Sequence, residues 1–148
     1  MRKFLLMLFV AFTLSEAQAS RIKIRDEAQL KNLLDSFSVA IVKKDKAWLT
    51  NNLTEACKMY EPSGGALDRQ TIVYAFTEGI YTLSKSTARN KTFKVVGEAA
   101  DGTADFEIEG VGLINGSSRD ISGVYLFNLK FQKLNSVWRI SEITVNEG

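Results

Sequence analysis

Residues 103–127, TADFEIEGVGLINGSSRDISGVYLF, contain the strongest signal for the fold of this chain. Apolar and polar residues alternate on both sides of Asn115-Gly116, a dipeptide typical of a two-residue turn because both residues tolerate positive φ angles. A turn of this kind places Phe106 opposite Tyr125 on two antiparallel strands. The segment therefore predicts a β-hairpin with one aromatic face.

The same alternating pattern continues on both sides of this hairpin, and no proline interrupts it. It predicts four antiparallel strands at residues 91–98, 103–114, 119–133 and 137–145. Further turns are expected at residues 99–102, which include Asp101-Gly102, and at Asn135-Ser136. The second half of the chain is therefore predicted to form one antiparallel sheet.

The two faces of this predicted sheet differ in character. Aromatic side chains on the inner face are expected to pack against Phe37 and Phe76 of the helices, and they are Phe93, Phe106, Tyr125 and Phe127. The outer face carries charges of both signs and an apolar strip made of Val96, Val111, Val124 and Leu126. Exposed apolar strips are typical of partner sites, so a homodimer through the outer face is predicted.

Helical periodicity precedes the sheet. Three helices are predicted, each beginning at an aspartate whose side chain can accept hydrogen bonds from the first free backbone amides: Asp26, Asp45 and Asp68. The first helix is expected to continue to about Val42 and the third to Leu83. A short strand, Cys57–Glu61, is expected between the second and third helices, before the break at Pro62.

Residues 1–19 have the pattern of a secretory signal peptide. A basic start is followed by an apolar run at residues 4–14 and by the small residues of Ala17-Gln18-Ala19. The apolar run is shorter than the roughly 20 residues that a membrane-spanning helix needs. We therefore expect cleavage after Ala19, a single secreted domain at residues 20–148, and no membrane association after cleavage.

The composition excludes several kinds of chemistry. The chain has no histidine, one cysteine and a formal net charge of +2. Without histidine it lacks the usual general base and the commonest transition-metal ligand, so no metal and no cofactor are expected. The basic residues are scattered, which argues against a nucleic-acid partner. Cys57 is either a buried thiol or the site of an intermolecular disulfide.

Three positions have the Asn-x-Ser/Thr pattern of N-glycosylation: Asn52, Asn90 and Asn115. In a secreted chain this repetition predicts a glycoprotein.

The position of Glu142 depends on the last hairpin. Regular pairing across Asn135-Ser136 places Glu142 opposite Leu129, which would bury the carboxylate and make it a candidate general base. A β-bulge near Ser141 would instead turn Ile143 and Val145 inward. We favour the bulge, because burying a carboxylate without a partner is costly.

Helices followed by a long antiparallel sheet resemble the nuclear transport factor 2-like superfamily, which includes SnoaL-like and ketosteroid-isomerase-like proteins. The resemblance covers residues 26–145 and rests on the helix end Ala40–Lys46, on Tyr60-Glu61-Pro62 and on the strand Val137–Ile140. It implies an α+β, cystatin-like superfold in which N-terminal helices pack in a curved, cone-shaped antiparallel sheet of about four main strands. It also implies a ligand pocket at the open end of the cone and dimers through the sheet.

Two functions are compatible with these features. The first is a secreted, non-catalytic module that binds a small apolar or amphipathic ligand in its cone or a protein partner through its sheet. The alternative is a proton-transfer enzyme of the isomerase or dehydratase kind, acting on a hydrophobic substrate with Glu142 or a nearby Asp as base and a Tyr as donor. The candidate pocket residues are Trp48, Tyr60, Tyr74, Phe93, Phe106, Tyr125, Phe127 and Trp138.

Overall fold

The computed structural model describes residues 2–148 and, from Glu16 onward, their side chains as well. The described chain contains α1 (Arg2–Lys43), α2 (Lys46–Asn52), β1 (Leu53–Tyr60), β2 (Ala66–Asp68), α3 (Arg69–Thr77), β3 (Tyr81–Val96), β4 (Ala99–Ile114), β5 (Ser117–Asp120), β6 (Gly123–Leu134) and β7 (Val137–Glu147). The strands form one 7-stranded sheet in the order β2-β1-β7-β6-β4-β3, with β5 paired to β4. The helices pack against one face of this curved sheet, so the fold is α+β.

The predicted fold class is confirmed, but the predicted strand count is too low. Strands β3, β4, β6 and β7 are the four expected antiparallel strands. Strand β1 pairs with β7 in parallel, so the sheet is mixed. The sequence pattern predicted only part of β1, because burial does not alternate along the whole strand: Leu53 and Thr54 are both buried at its start.

The register predicted from Asn115-Gly116 is confirmed. Phe106 pairs with Tyr125, and the two turn residues have φ angles of 52° and 76°. Strand β5 pairs with β4 in this register from the turn to Asp120. Strand β6 pairs with β4 in the same register from Gly123 onward. The turn dipeptide therefore sets the register of the longest hairpin in the sheet.

The turn predicted at residues 99–102 is wrong. The chain turns instead at Gly97-Glu98, where Gly97 has a φ angle of 61°, and residues 99–102 already belong to β4. Gly102 lies opposite Phe93, and a Cβ atom there would lie 2.9 Å from the Phe93 ring and 3.0 Å from the Phe131 ring. Gly102 is therefore required by packing in the sheet.

The helix start predicted at Asp26 is also wrong, because α1 already begins at Arg2. Asp26 is only 3% exposed, and its Oδ1 atom accepts hydrogen bonds from Trp138 Nε1 at 2.9 Å and from Lys133 Nζ at 2.8 Å. The Asp26 carboxylate thus accepts hydrogen bonds from side chains of the sheet and does not cap a helix. Asp45 and Asp68 do cap α2 and α3 as predicted, accepting from the backbone amides of Trp48 and Thr71.

The third helix is shorter than predicted. It ends at Thr77, and Gly79 follows with a φ angle of 89°. Because a side chain rarely adopts this angle, Gly79 allows the chain to leave the helix. Leu83, expected on the helix, therefore lies in β3, where it is buried.

The predicted signal peptide, residues 1–19, falls mainly outside the described side chains and stays a prediction. The backbone of α1 is helical on both sides of the predicted cleavage point, and the side chains of residues 16–25 are exposed. Within the described residues, no helix has an apolar stretch of the length that a membrane span requires.

Aromatic side chains hold the helices against the inner face of the sheet. Phe37 of α1 makes edge contacts with Phe76 of α3 and Phe106 of β4, with ring centroids 6.2 and 5.9 Å apart. Phe106 stacks on Phe127 at 4.2 Å. This confirms the predicted aromatic face.

Cys57 is 1% exposed, and its burial raises the pKa of the thiol to about 12. The buried thiol predicted as one of two alternatives is the one observed. The intermolecular disulfide would need Cys57 at the surface.

The bulge predicted near Ser141 is confirmed. Phe131 pairs with Ile140, whereas the preceding residue Lys130 pairs with Glu142, so one residue of β7 is extra. As a result Ile143 points inward and is fully buried. Glu142 lies on the outer face, 3.9 Å from the Nζ atom of Lys130.

Candidate functional site

A cavity of about 400 Å³ opens between the helices and one end of the sheet. It lies where two helices end, since Ile41 near the end of α1 and Phe76 near the end of α3 both line it. Most of its lining is apolar, and the remaining apolar lining residues are Met59, Pro62, Leu83, Ile108, Leu113, Ile114, Ile121, Phe127 and Val145. We call this end of the cone the open end.

The cavity contains one hydrogen-bonded pair of polar side chains. The hydroxyl group of Tyr81 donates to Oε1 of Glu61. Glu61 itself is held by the tight turn that follows β1, in which its backbone N–H donates to the carbonyl oxygen of Gly65 and its own carbonyl accepts from Gly64, both at 2.9 Å. The turn therefore fixes the carboxylate at the wall of the cavity.

Tyr81 keeps its proton at neutral pH. Burial raises the pKa of the Tyr81 hydroxyl above its usual value, and the hydrogen bond to Glu61 and the negative charge of Glu61 raise it further. The side chain also packs on Phe76, with ring centroids 5.2 Å apart. Tyr81 is thus a rigid, neutral hydrogen-bond donor inside an apolar site.

The mouth of the cavity has a second phenol and a second carboxylate. The hydroxyl of Tyr125 donates to the backbone carbonyl of Ile121 at 2.7 Å. Burial raises the pKa of Tyr125, and the charges of Glu147 and Asp120 add to this effect. Glu147 pairs with Tyr125 across β6 and β7 and lines the cavity from an exposed position.

Of the eight predicted pocket residues, only Tyr125 and Phe127 line this cavity. Phe106 is fully buried in the core. Phe93 and Trp138 lie away from the cavity, in the region that we call the closed end, where Phe93 packs on Phe131 at 5.8 Å.

The other three predicted pocket residues lie outside the cavity. Trp48 packs beside Phe37 at 6.3 Å. Tyr60 and Tyr74 are exposed, at 38% and 54%. All eight residues are aromatic, whether they lie in the core, at the surface or beside the cavity, so residue type alone does not separate these positions.

Three polar residues of the cavity lining, Glu61, Tyr81 and Glu147, were not among the residues predicted for the pocket. Tyr81 falls within the predicted third helix, which in fact ends at Thr77. Glu61 had one signal that could have found it: it precedes the single proline of the chain and so stands at a rigid turn.

Glu142, the weak catalytic candidate, lies outside the cavity. Its carboxylate contributes to a groove of about 500 Å³ on the outer face. The other polar lining residues are Thr92, Lys94, Asp101, Thr103, Asn128, Lys130 and Thr144, and Phe93, Gly102 and Leu129 line it as well. Within the described residues, no group of three Asp, Glu or Cys side chains could hold a metal ion.

The predicted apolar strip on the outer face is divided by this groove. Val124 and Leu126 are neighbours on β6, with exposures of 52% and 38%. Val96 is 69% exposed but lies beside Ala99, at the other end of β4. The outer face therefore has an apolar patch at Val124 and Leu126 rather than a continuous strip.

The three glycosylation candidates differ in their surroundings. Asn115 is exposed at the hairpin turn. The side-chain amide of Asn90 donates to Asp105, and that of Asn52 donates to the carbonyl of Trp48, both at 2.8 Å. Asn90 and Asn115 are exposed, whereas Asn52 is half-buried.

The fold is similar to solved structures of nuclear transport factor 2-like proteins. One from Cytophaga hutchinsonii has a TM-score of 0.74 at 13% identity over 80% of this chain and 95% of its own. A protein of unknown function in nutrient uptake from Rhodospirillum rubrum has a TM-score of 0.68 at 12% identity, covering 80% and 98%. A third, from Novosphingobium aromaticivorans and described with a cystatin-like fold, has 0.66 at 12%, covering 87% and 86%.

The sequence matches no protein-family model and no curated protein. Identities of this size define the fold alone. The chain therefore has the nuclear transport factor 2-like, cystatin-like fold, and its function must be argued from its own cavity.

Proposed function

We propose that this protein is a secreted, non-catalytic module that binds a small apolar or amphipathic molecule in the cavity at the open end. The observation that carries the proposal is the cavity itself, about 400 Å³ and largely apolar, with the Glu61–Tyr81 pair in its wall. Small-molecule sites typically have volumes of roughly 300–1,000 Å³, apolar walls and a few fixed polar groups.

The experiment is extraction of bound molecules from the protein as secreted, followed by mass spectrometry. Ile108 is half-buried in the cavity wall, so Ile108→Trp should fill the space and reduce the amount of extracted molecule severalfold. Val137→Trp is the matched control, because Val137 is 50% exposed and does not line the cavity. Equal extraction from both variants would contradict the proposal.

The second candidate function is a proton-transfer enzyme, and the same pair of side chains favours it. Glu61 is a carboxylate in a largely apolar site, which suits a general base, and Tyr81 is a neutral donor beside it. In this alternative the base is Glu61, since Glu142 lies on the outer face.

Turnover separates the two candidates. The extracted molecule is incubated with the natural protein and with Glu61→Gln, and its isomerisation or loss of water is followed by mass spectrometry. A binding module leaves the molecule unchanged in both cases, whereas an enzyme converts it only when Glu61 is present.

The proposed assembly is a homodimer through the outer face. The patch of Val124 and Leu126 supplies apolar area, and the neighbouring groove contains both signs of charge, with Lys94 and Lys130 near Asp101 and Glu142. A face of mixed charge can pair with a second copy of itself. Lysine at both Val124 and Leu126 should give a folded monomer in sedimentation, whereas a natural protein already monomeric at high concentration would exclude this dimer.

Secretion after cleavage behind Ala19 remains part of the proposal. The exposed side chains of residues 16–25 are compatible with access to the cleavage point. Amino-terminal sequencing of the secreted protein should begin at Ser20, and recovery of the intact chain from a membrane fraction would contradict it.

A further inference from the structure

We infer that the cavity at the open end selects molecules whose apolar body carries a protonated amine. The inference rests on the proposed binding function and adds the chemical class of the ligand. It starts from the charges of the lining, which contains two carboxylates, Glu61 and Glu147, and neither lysine nor arginine.

Among the side chains that the structure describes, no lysine or arginine forms an ion pair with either carboxylate. Every described ion pair involves other acids, namely Asp26, Asp35, Glu107, Glu109 and Glu142. The hydroxyl of Tyr81 donates to Oε1 of Glu61 but brings no positive charge. The open end is therefore a concave site of negative charge, which attracts a cationic ligand and repels an anionic one.

Glu61 also has an acceptor atom free for a ligand. Its Oε1 atom is used by Tyr81, whereas Oε2 accepts no hydrogen bond from any described residue. Oε2 faces Gly65, where an added Cβ atom would lie only 3.1 Å away, so the glycine leaves room beside this oxygen. An ammonium group, which has three donors, can reach Oε2 while Tyr81 keeps its own hydrogen bond.

Aromatic rings support the same choice of ligand. Phe76, Tyr81, Tyr125 and Phe127 all line the cavity. A cation within about 6 Å of such a ring is attracted by the negative face of the ring. The combination of two carboxylates with aromatic walls therefore binds an amine with an apolar body better than the corresponding alcohol or acid.

The test uses three probes with the same ring and different head groups: naphthylmethylamine, naphthalenemethanol and naphthoate. Binding to the full secreted protein is measured by calorimetry and by shifts of backbone amide resonances of the cavity residues. We expect the amine to bind about tenfold tighter than the alcohol, as for a charge-assisted hydrogen bond replacing a neutral one, and naphthoate to bind weakest.

Three glutamate variants assign the effect to the cavity. Glu61→Gln is close in shape and can still accept from Tyr81. Combined with Glu147→Gln, it should reduce the preference for the amine over the alcohol about tenfold. Glu142→Gln is the matched control on the outer face and should leave this preference unchanged. A preference that survives both cavity variants would overturn the inference.

The remaining outcomes separate this inference from the proposed function. Equal binding of amine and alcohol, with both lost in Ile108→Trp, would overturn the inference and leave the binding function in place. Tightest binding of naphthoate would overturn the inference as well. Absence of binding by all three probes, together with no extracted molecule from the natural protein, would overturn both.

Discussion

The closed end and the open end of this molecule are built on the same strands but are filled differently. At the closed end, Phe93 packs on Phe131 above Gly102, and Asp26 joins α1 to Trp138 and Lys133. At the open end, α1 and α3 stop and a cavity of about 400 Å³ remains. Ile41 at the cavity lies about 22 Å along α1 from Asp26, from the rise of 1.5 Å per residue. Helix α1 thus carries a structural contact near its middle and a candidate binding site near its C-terminal end.

This difference implies that contacts at the closed end contribute most of the stability of the fold, whereas residues at the open end contact the ligand. A ligand site must leave space unfilled, and unfilled space loses packing contacts. Substitutions at the closed end should therefore lower the free energy of unfolding more than matched substitutions at the open end.

Phe131→Ala should be the most damaging change. Phe131 is 1% exposed, and truncating a buried phenylalanine typically costs about 3–5 kcal/mol in the free energy of unfolding. Ile114→Ala is the matched change at the open end, where Ile114 is 44% exposed, and should cost about 1 kcal/mol or less. Urea denaturation measures both, and equal costs would refute the division between the two ends.

Asp26→Ala should follow, at about 2–3 kcal/mol, because it leaves the Trp138 N–H group and the Lys133 charge without their acceptor. Lys133 is partly exposed, which keeps the cost below that of a fully buried pair. Thermal unfolding of Asp26→Ala and of Asp35→Ala gives the comparison, because Asp35 is an acid on the same helix whose ion pair, with Lys91, is at the surface. Similar values for the two would show that Asp26 is not a structural contact.

The same carboxylate predicts a pH dependence of stability. Burial opposes ionisation of Asp26, but the hydrogen bonds from Lys133 and Trp138 and the charge of Lys133 outweigh it and hold the pKa below its ordinary value of 3.8. Because the pKa of Asp26 is lower in the folded state, its contribution to the free energy of unfolding is fully present above pH 3.8. This contribution is lost as the pH falls through the folded pKa. Between about pH 5 and about pH 2, the free energy of unfolding should fall more steeply for the natural protein than for Asp26→Ala.

Gly102→Ala should cost about 2 kcal/mol, because its Cβ atom would lie 2.9 Å from the Phe93 ring and overpack the closed end. Gly65→Ala is the counterpart at the open end, since its nearest neighbour is the carboxylate of Glu61 at 3.1 Å. We expect Gly65→Ala to weaken binding of naphthylmethylamine more than it lowers stability. A larger loss of stability at Gly65 than at Gly102 would argue against this comparison.

Glu142→Gln should have the smallest effect. Its ion pair with Lys130 spans 3.9 Å between side chains that are 35% and 62% exposed, and exposed pairs of this kind contribute about 0–1 kcal/mol. Stability and probe binding should both stay close to those of the natural protein. A loss of probe binding would instead connect the outer face to the cavity.

Some local features were predictable because neighbouring residues determine them. Asn115-Gly116 set the turn and hence the pairing of Phe106 with Tyr125. The bulge near Ser141 followed from the conflict between two registers of one hairpin. In both cases the deciding residues lie close together in the sequence, so alternation and turn chemistry were sufficient.

For other residues, the local sequence pattern was the same whether they made a local contact or a distant one. Asp26 has the pattern of a helix cap, but its partners lie 107 and 112 residues away. Asp101-Gly102 has the pattern of a turn, but the glycine is needed for the rings of Phe93 and Phe131. A short sequence pattern does not show which of the two contacts forms, because this depends on a partner far away in the chain.

The α+β class, the main antiparallel strands, the aromatic inner face and the register of the Asn115-Gly116 hairpin were all predictable from the sequence. These follow from periodicity and turn residues, which act over a few positions. The aromatic residues that border the cavity, and the contact of Glu61 with Tyr81 across 20 positions of the chain, became visible in the folded structure. A cavity is the space left where helices and strands end, so its position depends on the lengths and packing of all of them together.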